Sequence, residues 1–441
     1  SSGLPPPEEG TLNLHGFPSE DLLLVQPSFL QIIDSFSGVV RQRLSTGFPV
    51  STSDQTRHSA VQAGLSVPAV APVGALPRCV VAAQQGKALL SFWSRTKETV
   101  AYQVATPEIM TTLGFHPSGS FLFAGSKSGC MYCWQLNAAL QNPTESKDAW
   151  QGVSLLRKCW PVHYGACSSL VVQDDRLISG GADGSIKAFH FSRILTNNSA
   201  AQSASSPIPS EAAIPPIQTW AGHTQSVTAL STVPDLYKSL GACSRTCLVS
   251  ASLDHSVRIW CWDRSNSFET FVLPAPSRCV AITLPNATLS VCIACDNASI
   301  YVVALRSTAV SGSSATAESS QGNVYTVDSS AGCPLWEDTG FSSHRSSRFR
   351  VLRGHNGPVR SCVALGDGRL ASCAADGVRL WDLEAGAALT HFAHFGGVIG
   401  GMLSLKNSSL SNALLLPSLG PLRRSLAQDG QTNVIHFFDR G

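Results

Sequence analysis

The chain has 441 residues, with 31 Lys and Arg against 29 Asp and Glu and a formal net charge of +2. That near-balance argues against whole-surface attraction to nucleic acid or anionic membrane, which needs a sustained excess of positive charge. Charged residues are only 14% of the chain, while 36 Gly, 25 Pro and a 43% hydrophobic content imply many turns around an ample core and exclude wholesale disorder.

The chain opens Ser1-Ser2-Gly3 without a Met, so the native N-terminus is expected to be missing or processed. No charged region precedes an apolar one at the start, and no apolar run reaches the roughly 18 to 20 residues of a membrane span. At about 150 residues per domain this length would suggest three domains, a rule that large β folds and repeat folds break. Internal periodicity therefore comes first.

One pattern recurs: an apolar strand, small residues, a tight polar turn, then an alternating strand ending in an aromatic. A degenerate copy covers 22–34, and a weak one runs from Val80 to Trp93 with Gly86-Lys87 at its turn. Phe121-Leu-Phe-Ala-Gly-Ser-Lys-Ser-Gly-Cys-Met-Tyr-Cys-Trp134 shows the pattern well. Leu177-Ile-Ser-Gly-Gly-Ala-Asp-Gly-Ser-Ile-Lys-Ala-Phe189 and Leu248-Val-Ser-Ala-Ser-Leu-Asp-His-Ser-Val-Arg-Ile-Trp260 repeat it. A weak copy from Val291 to Val303, with Asn297-Ala298 at the turn, precedes Leu370-Ala-Ser-Cys-Ala-Ala-Asp-Gly-Val-Arg-Leu-Trp381, which makes seven copies.

Alternation such as Ser185-Ile186-Lys187-Ala188-Phe189 has the period of two of a half-buried strand. Asp183-Gly184 and Asp376-Gly377 supply residues that tolerate positive φ in a tight hairpin. One such hairpin cannot bury its apolar faces alone; copies stacked around a ring bury them between neighbours.

Two stretches interrupt the repeat. Residues 196–217 are rich in Ser, Ala, Asn and Pro, and 307–347 in Ser, Gly and Thr around a short Asn323-Val-Tyr-Thr-Val327 island. Both have linker composition and are expected to be mobile loops, with a binding loop as the alternative. The tail 394–441 does not repeat the motif cleanly. Its segments 398–405, 413–416 and 434–438 read as strands that pair with the N-terminal segment and close the ring, removing exposed sheet edges. An eighth, irregular blade stays open as an alternative.

No catalytic constellation emerges. Fourteen Cys are scattered singly, the pattern of buried reduced thiols in a cytosolic or nuclear protein. The pairs Cys130/Cys133 and Cys292/Cys295 lie in predicted strands, where residues three apart face opposite sides and cannot chelate one ion. Neither a metal nor a cofactor is expected. Asp174-Asp175 falls in a hairpin turn, and no nucleophile elbow or phosphate-binding loop is present. Trp150, Trp160 and Trp336 lie off the repeat positions and are candidate partner anchors. The densest basic spots are Arg423-Arg424 and the cluster Arg345, Arg348, Arg350 and Arg353. These could touch RNA phosphate or an acidic partner, although solvated surface is the commoner fate of such residues.

Gly222-His223, Asp254 and Trp260 follow the order Gly-His…Asp…Trp, as do Gly354-His355, Asp376 and Trp381-Asp382. The chain thereby resembles the WD-repeat family, in which each repeat makes a four-stranded propeller blade. The resemblance implies an all-β, WD-repeat β-propeller, most simply of seven blades. It implies a structural network of His223, Ser250 or Ser252, Asp254 and Trp260, with His355, Asp376, Trp381, Asp183, Trp134 and Trp93 at matching positions of other copies. Trp is replaced by Phe189 and Val303 in two copies, and the Asp376-to-Trp381 spacing is one residue short. Those blades are expected to form with fewer internal hydrogen bonds.

A narrower likeness rests on Leu177-Ile-Ser-Gly-Gly-Ala-Asp, Ser250-Ala-Ser-Leu-Asp-His-Ser-Val-Arg-Ile-Trp260 and the Trp-less Asn297-Ala-Ser-Ile-Tyr-Val-Val-Ala-Leu305. Gly397-Val-Ile-Gly-Gly-Met-Leu-Ser-Leu405 and Leu414-Leu-Leu-Pro-Ser-Leu-Gly-Pro-Leu422 extend it. These stretches resemble the family of propeller subunits of the nuclear Rix-type (PELP-type) complex that matures the large ribosomal subunit. The resemblance implies a non-enzymatic scaffold in the nucleolus or nucleoplasm that binds a large helical scaffold protein, the AAA ATPase midasin and large-subunit precursors. It implies a part in removing an internal transcribed spacer, with any RNA contact indirect. The family's C-terminal helical, dimer-forming extension has no counterpart here, which puts self-association in doubt. The alternatives are an adaptor of another complex, such as a ubiquitin-ligase substrate receptor, or a replication-licensing or chromatin scaffold. Trp381-Asp382-Leu383-Glu384 lacks the Arg that many such receptors carry after Trp-Asp.

Overall fold

A computed structural model describes residues 20–26, 29–45, 65–70, 79–84, 86–94, 98–116, 120–135, 156–173, 175–196, 214–232, 247–262, 265–283, 289–304, 323–326, 349–365, 368–395, 399–405, 422–426 and 433–437. The strands β1 (Asp21–Val25), β2 (Phe29–Asp34) and β3 (Val40–Ser45) begin the first blade. The second is β4 (Leu65–Val70), β5 (Cys79–Gln84), β6 (Leu89–Ser94) and β7 (Val100–Ala105). β8 (Met110–Phe115), β9 (Phe121–Ser126), β10 (Cys130–Gln135) and β11 (Leu156–Pro161) make the third. β12 (Cys167–Gln173), β13 (Arg176–Gly181), β14 (Ser185–His190) and β15 (Gln218–Ala221) make the fourth, with the short helix α1 (Phe191–Thr196) after β14.

The fifth blade holds β16 (Val227–Thr232), β17 (Cys247–Ser252), β18 (Ser256–Cys261) and β19 (Ser267–Val272). The sixth holds β20 (Ser277–Thr283), β21 (Ser290–Cys295), β22 (Ser299–Ala304) and β24 (Phe349–Arg353). Between β22 and β24 the segment β23 (Asn323–Thr326) adds to the fifth blade as an extra strand, parallel to β19. The seventh is β25 (Ser361–Ala364), β26 (Arg369–Ala374), β27 (Gly377–Asp382) and β28 (Ala387–Phe392). Then β29 (Gly401–Leu405) returns to pair antiparallel with β1, Leu23 opposite Leu403, and completes the first blade.

The fold is thus all-β with seven blades. The first strands of successive blades lie side by side from β4 through β8, β12, β16, β20 and β25 to β29, and β29 lies beside β4. Part of the tail behaves otherwise than expected. Its last strand, β31 (Asn433–Phe437), pairs with β30 (Leu422–Leu426) in a separate two-stranded ribbon rather than with the N-terminal segment, and no eighth blade forms among the described residues. Residues 413–416 lie outside the described residues.

Period-two alternation feeds a different interface from each face of a strand. Ile259 packs with the sixth blade and its neighbour Trp260 with the fourth. The seven apolar clusters occupy the seven blade boundaries, one each. The closing blade obeys the same rule: Leu22, Leu24 and Met402 face the seventh blade, while Leu23, Val25 and Leu405 face the second.

Among the described residues, hydrogen bonds near the start of the inner strands reinforce five of these boundaries. A bulged residue there turns its hydroxyl toward the next blade. Thr111 donates to the Cys167 carbonyl, Ser168 to that of Val227, and Thr228 to that of Ser277 at 2.9 Å. At the next boundary the bulged residue is Arg278, which turns instead to Asp296 in a bidentate pair at 2.8 Å. The Cys279 thiol then reaches the Cys362 carbonyl at 3.5 Å, and Ser361 reaches the Met402 carbonyl at 3.4 Å. Replacing Thr228 by Val keeps the side chain's shape but leaves the Ser277 carbonyl without that donor. Chemical unfolding should show a loss of about 1 kcal/mol, the usual net worth of one such bond. Unchanged stability would contradict the stitching role.

Candidate functional site

The polar chemistry of the blades converges where the loop entering one blade meets the central hairpin of that blade. In the fifth blade the loop between β15 and β16 carries His223. Its Nδ1 lies 2.9 Å from Asp254 Oδ2 and its Nε2 lies 2.7 Å from Ser250 Oγ. The Trp260 indole N–H donates to the same Ser250 Oγ at 2.8 Å. Asp254 also accepts the backbone N–H of Thr224 and both donors of Ser256. Ser250 is the hydroxyl of the His–Trp link; Ser252 instead donates to the Gln225 carbonyl and receives the Asp254 N–H.

A neutral imidazole protonated on Nδ1 satisfies every group in one direction. Trp260 donates to Ser250, Ser250 to His223 Nε2, and His223 Nδ1–H to the Asp254 carboxylate. Gly222 belongs to the same device, since a Cβ there would lie 2.9 Å from the Trp260 ring.

The seventh blade repeats the arrangement. His355 lies 2.7 Å from both Asp376 Oδ1 and Ser372 Oγ, and the Trp381 N–H donates to Ser372 at 2.7 Å. The Asp376-to-Trp381 segment is one residue short, yet no bond of the chain is lost. Gly377 at φ +119° closes a tighter turn in which Ala374 pairs directly with Gly377.

A third cap sits in the fourth blade, where the Gly-His signature is absent. His163 lies 2.9 Å from Ser179 Oγ and 3.2 Å from Asp183 Oδ1, with Ser185 also within 3.0 Å. Here Val162 stands where Gly222 and Gly354 stand elsewhere, and Phe189 replaces the terminal Trp. Both share one apolar cluster with Trp160. A benzyl ring needs less room than an indole, so the residue before the histidine carries a side chain. The price is the Trp-to-Ser bond, as the Phe189 substitution implied. The Gly-His pattern hid His163; its distance of 20 residues from Asp183 is the signal that marks it.

Other blades improvise. Trp93 donates to the Ser45 carbonyl at 3.0 Å, tying the second blade to the first. In the third, Trp134 stacks on Tyr132, whose hydroxyl donates to Glu108 at 2.7 Å. The sixth has no His among its described residues; Asn297 donates to the Tyr301 hydroxyl at 2.8 Å.

Electrostatics follow from this wiring. Burial pushes His163 and His355 below the ordinary imidazole value. Burial alone would raise the carboxyls of Asp183, Asp254 and Asp376. Hydrogen bonds from Ser185, His223 and His355 outweigh it and hold all three below the usual carboxylate range. These groups are engaged with one another and hold the entry loop on the hairpin.

The partner candidates separate. Trp160 is fully buried and packs on Phe189 at 6.1 Å, so it cannot anchor a partner on the surface. Arg350 is half-buried and donates to the Leu383 and Glu384 carbonyls, bracing β24 against the seventh blade. Arg353 is exposed. Trp150, Trp336, Arg345 and Arg348 lie outside the described residues. Sequence reading passed over Tyr164, which is 92% exposed while its backbone N–H is held by Asp183 at 3.0 Å.

The Cys-x-x-Cys pairs split between opposite faces. Cys130 and Cys133 pack at different boundaries, as do Cys292 and Cys295. Burial pushes the Cys133, Cys292 and Cys295 thiols up to about 12. Among the described residues no cluster of three or more His, Cys, Asp or Glu could hold a metal, and no helix is long and apolar enough to cross a membrane.

The folded pKa of His163 and His355 lies below the unfolded value near 6.5. On acidification the unfolded chain takes up these protons first, so stability present above about pH 6.5 is lost as pH falls below it. The aspartates add a further loss below about pH 4. The urea midpoint should fall between about pH 7.5 and pH 5.5, and His355→Gln should shrink that fall. An equal or steeper fall in His355→Gln would contradict the account.

The family described as WD domain, G-beta repeat matches residues 103–135, 214–261 and 346–382. Among curated proteins the chain is similar to the pre-rRNA-processing protein crb3/ipi3 of Schizosaccharomyces pombe. They are 24% identical over 248 residues, 56% of this chain and 47% of that protein. The pre-rRNA-processing protein IPI3 of Yarrowia lipolytica is 25% identical over 223 residues, 51% of this chain and 44% of its own length. Protein ROOT INITIATION DEFECTIVE 3 of Arabidopsis thaliana is 24% identical over 193 residues, 43% of this chain and 37% of its own length. The chain thus spans less than half the length of these relatives. A solved structure, the WD40 beta propeller domain of Doa1, aligns with a TM-score of 0.48 at 15% identity, covering 76% of this chain and 84% of that one. The chain thus folds as a seven-bladed β-propeller with WD repeats in three matched segments, two of which carry the His–Ser–Trp–Asp cap.

Proposed function

We propose that this chain is a non-enzymatic WD-repeat scaffold subunit of a nuclear complex that assembles the large ribosomal subunit and processes a pre-rRNA internal transcribed spacer. The observation that carries the reading is the pair of fungal relatives named as pre-rRNA-processing proteins, each matched over at least half of this chain. The site chemistry is consistent with it. The caps engage their histidines and aspartates with one another, leaving the blades as a rigid platform.

In this reading the partners are proteins: a large helical scaffold, the AAA ATPase midasin and large-subunit precursor particles. The net charge of +2 suits docking through proteins better than direct wrapping of RNA. The place of action is the nucleolus and nucleoplasm. Tyr164 is the described residue best suited to anchor a partner, a large ring on a backbone already fixed by Asp183. Trp150, Trp336, Arg345, Arg348 and Arg353 are further contact candidates.

The test is to tag the protein in its native cell and identify what co-sediments with it on a sucrose gradient. Co-migration with large-subunit precursors, a helical scaffold protein and midasin is the expected outcome. Recovery with cullin components, replication-licensing factors or trafficking coats, and without ribosomal precursors, would overturn the assignment while leaving the propeller intact.

A further inference from the structure

The boundary between the sixth and seventh blades differs from those before it. At four other boundaries a hydroxyl crosses from one inner strand to the next; here the crossing group is the thiol of Cys279 on β20, 3.5 Å from the Cys362 carbonyl on β25. The two strands lie side by side, and both side chains pack into the one apolar cluster between the sixth and seventh blades. Cys279 is half-buried near the start of β20; Cys362 is buried, its thiol 3.8 Å from the Cys292 carbonyl. Cys292 packs at the same boundary and Cys373 on the opposite face of the seventh blade, all four thiols being free.

We propose that Cys279 and Cys362 form a reversible disulfide that staples the sixth blade to the seventh, with hydrogen peroxide as the oxidant. The Cys279 thiolate attacks one peroxide oxygen, breaking the O–O bond to give a sulfenic acid and hydroxide. The Cys362 thiol then attacks the Cys279 sulfur, its proton leaves with the sulfenic oxygen as water, and the S–S bond forms. Two thiols and one peroxide yield one disulfide and two waters. A low-molecular-weight thiol reverses the step by exchange.

Three features favour this pair over its neighbours. Cys279 is the partly exposed member of the pair, and Cys362 the buried one. The neighbouring Cys362 side chain lowers the Cys279 thiol below its ordinary value, whereas burial holds Cys292 and Cys373 at about 12. The other cross-blade pair, Cys130 with Cys167, is looser: the Cys167 thiol lies 3.9 Å from the Cys130 carbonyl and is pushed up to about 12 by burial.

The test uses the full chain treated with hydrogen peroxide, alkylated with N-ethylmaleimide, digested and mapped by mass spectrometry. The expected product is one linked peptide joining Cys279 to Cys362, with two fewer alkylated thiols, reversed by dithiothreitol. The oxidised chain should also unfold at a higher temperature than the reduced one, because the link closes a long loop. Cys279→Ser should abolish the link, Cys373→Ser should leave it, and Cys362→Ser should leave Cys279 as a sulfenic acid that dimedone traps. Linkage of Cys279 to Cys292 or Cys373, preferential linkage of Cys130 to Cys167, linkage only in urea, or full alkylation of both thiols after peroxide would each overturn the proposal. The wild-type peptide map decides even where a variant fails to fold.

Discussion

A strand at the edge of a sheet carries a row of backbone donors and acceptors with no partner, and everything else in this molecule depends on how the innermost edges are resolved. Seven four-stranded blades stand around a ring, and each buries its two faces only if both neighbours are present. A linear stack would leave one face of the first and last blades in water. Pairing of β29 with β1 removes that problem, because the first blade is built from both ends of the chain. Leu22 and Leu24 on one face and Leu23 and Val25 on the other are then all buried, although they are consecutive in sequence. Such a run reads poorly as an amphipathic strand and makes sense only for a strand with a blade on each side.

Within that ring, the caps settle how each blade's entry loop sits on its hairpin. A buried histidine, serine and tryptophan must all find partners, and a single direction of donation satisfies them. The geometry couples distant positions. An indole at the end of the third strand requires glycine before the histidine, as at Gly222 and Gly354, while Phe189 permits Val162. The turns show the same economy. Gly184 has φ +75°, and a Cβ there would lie 2.6 Å from the His223 carbonyl, so the hairpin of one blade is cut to fit under the loop of the next.

The repeat, the strand positions and the caps of the fifth and seventh blades were legible because period-two alternation and turn residues are local properties. The seven-fold count followed from recurrence, including the degenerate first copy that became β1 and β2. What failed to show in the sequence was set by packing across blades. Trp160 sits off the repeat position, which suggested an exposed anchor, yet it fills the space beside Phe189. His163 was missed because the expected glycine had been exchanged for valine in step with an aromatic substitution 27 residues on. The island at Asn323 lay within a stretch expected to be a mobile loop, and its parallel pairing with β19 is a long-range event with no local signal. Cys279 and Cys362 are 83 positions apart and meet only because their blades are neighbours.

The central structural claim is that the ring is closed by β29 and behaves as one cooperative platform. Native-state amide hydrogen exchange tests it most directly. If the ring is closed as described, the protected amides of β1 and β29 should exchange with the same opening free energy as those of β17 and β18 in the fifth blade. Exchange of β29 through a local opening of much lower free energy, with the other blades still protected, would contradict it.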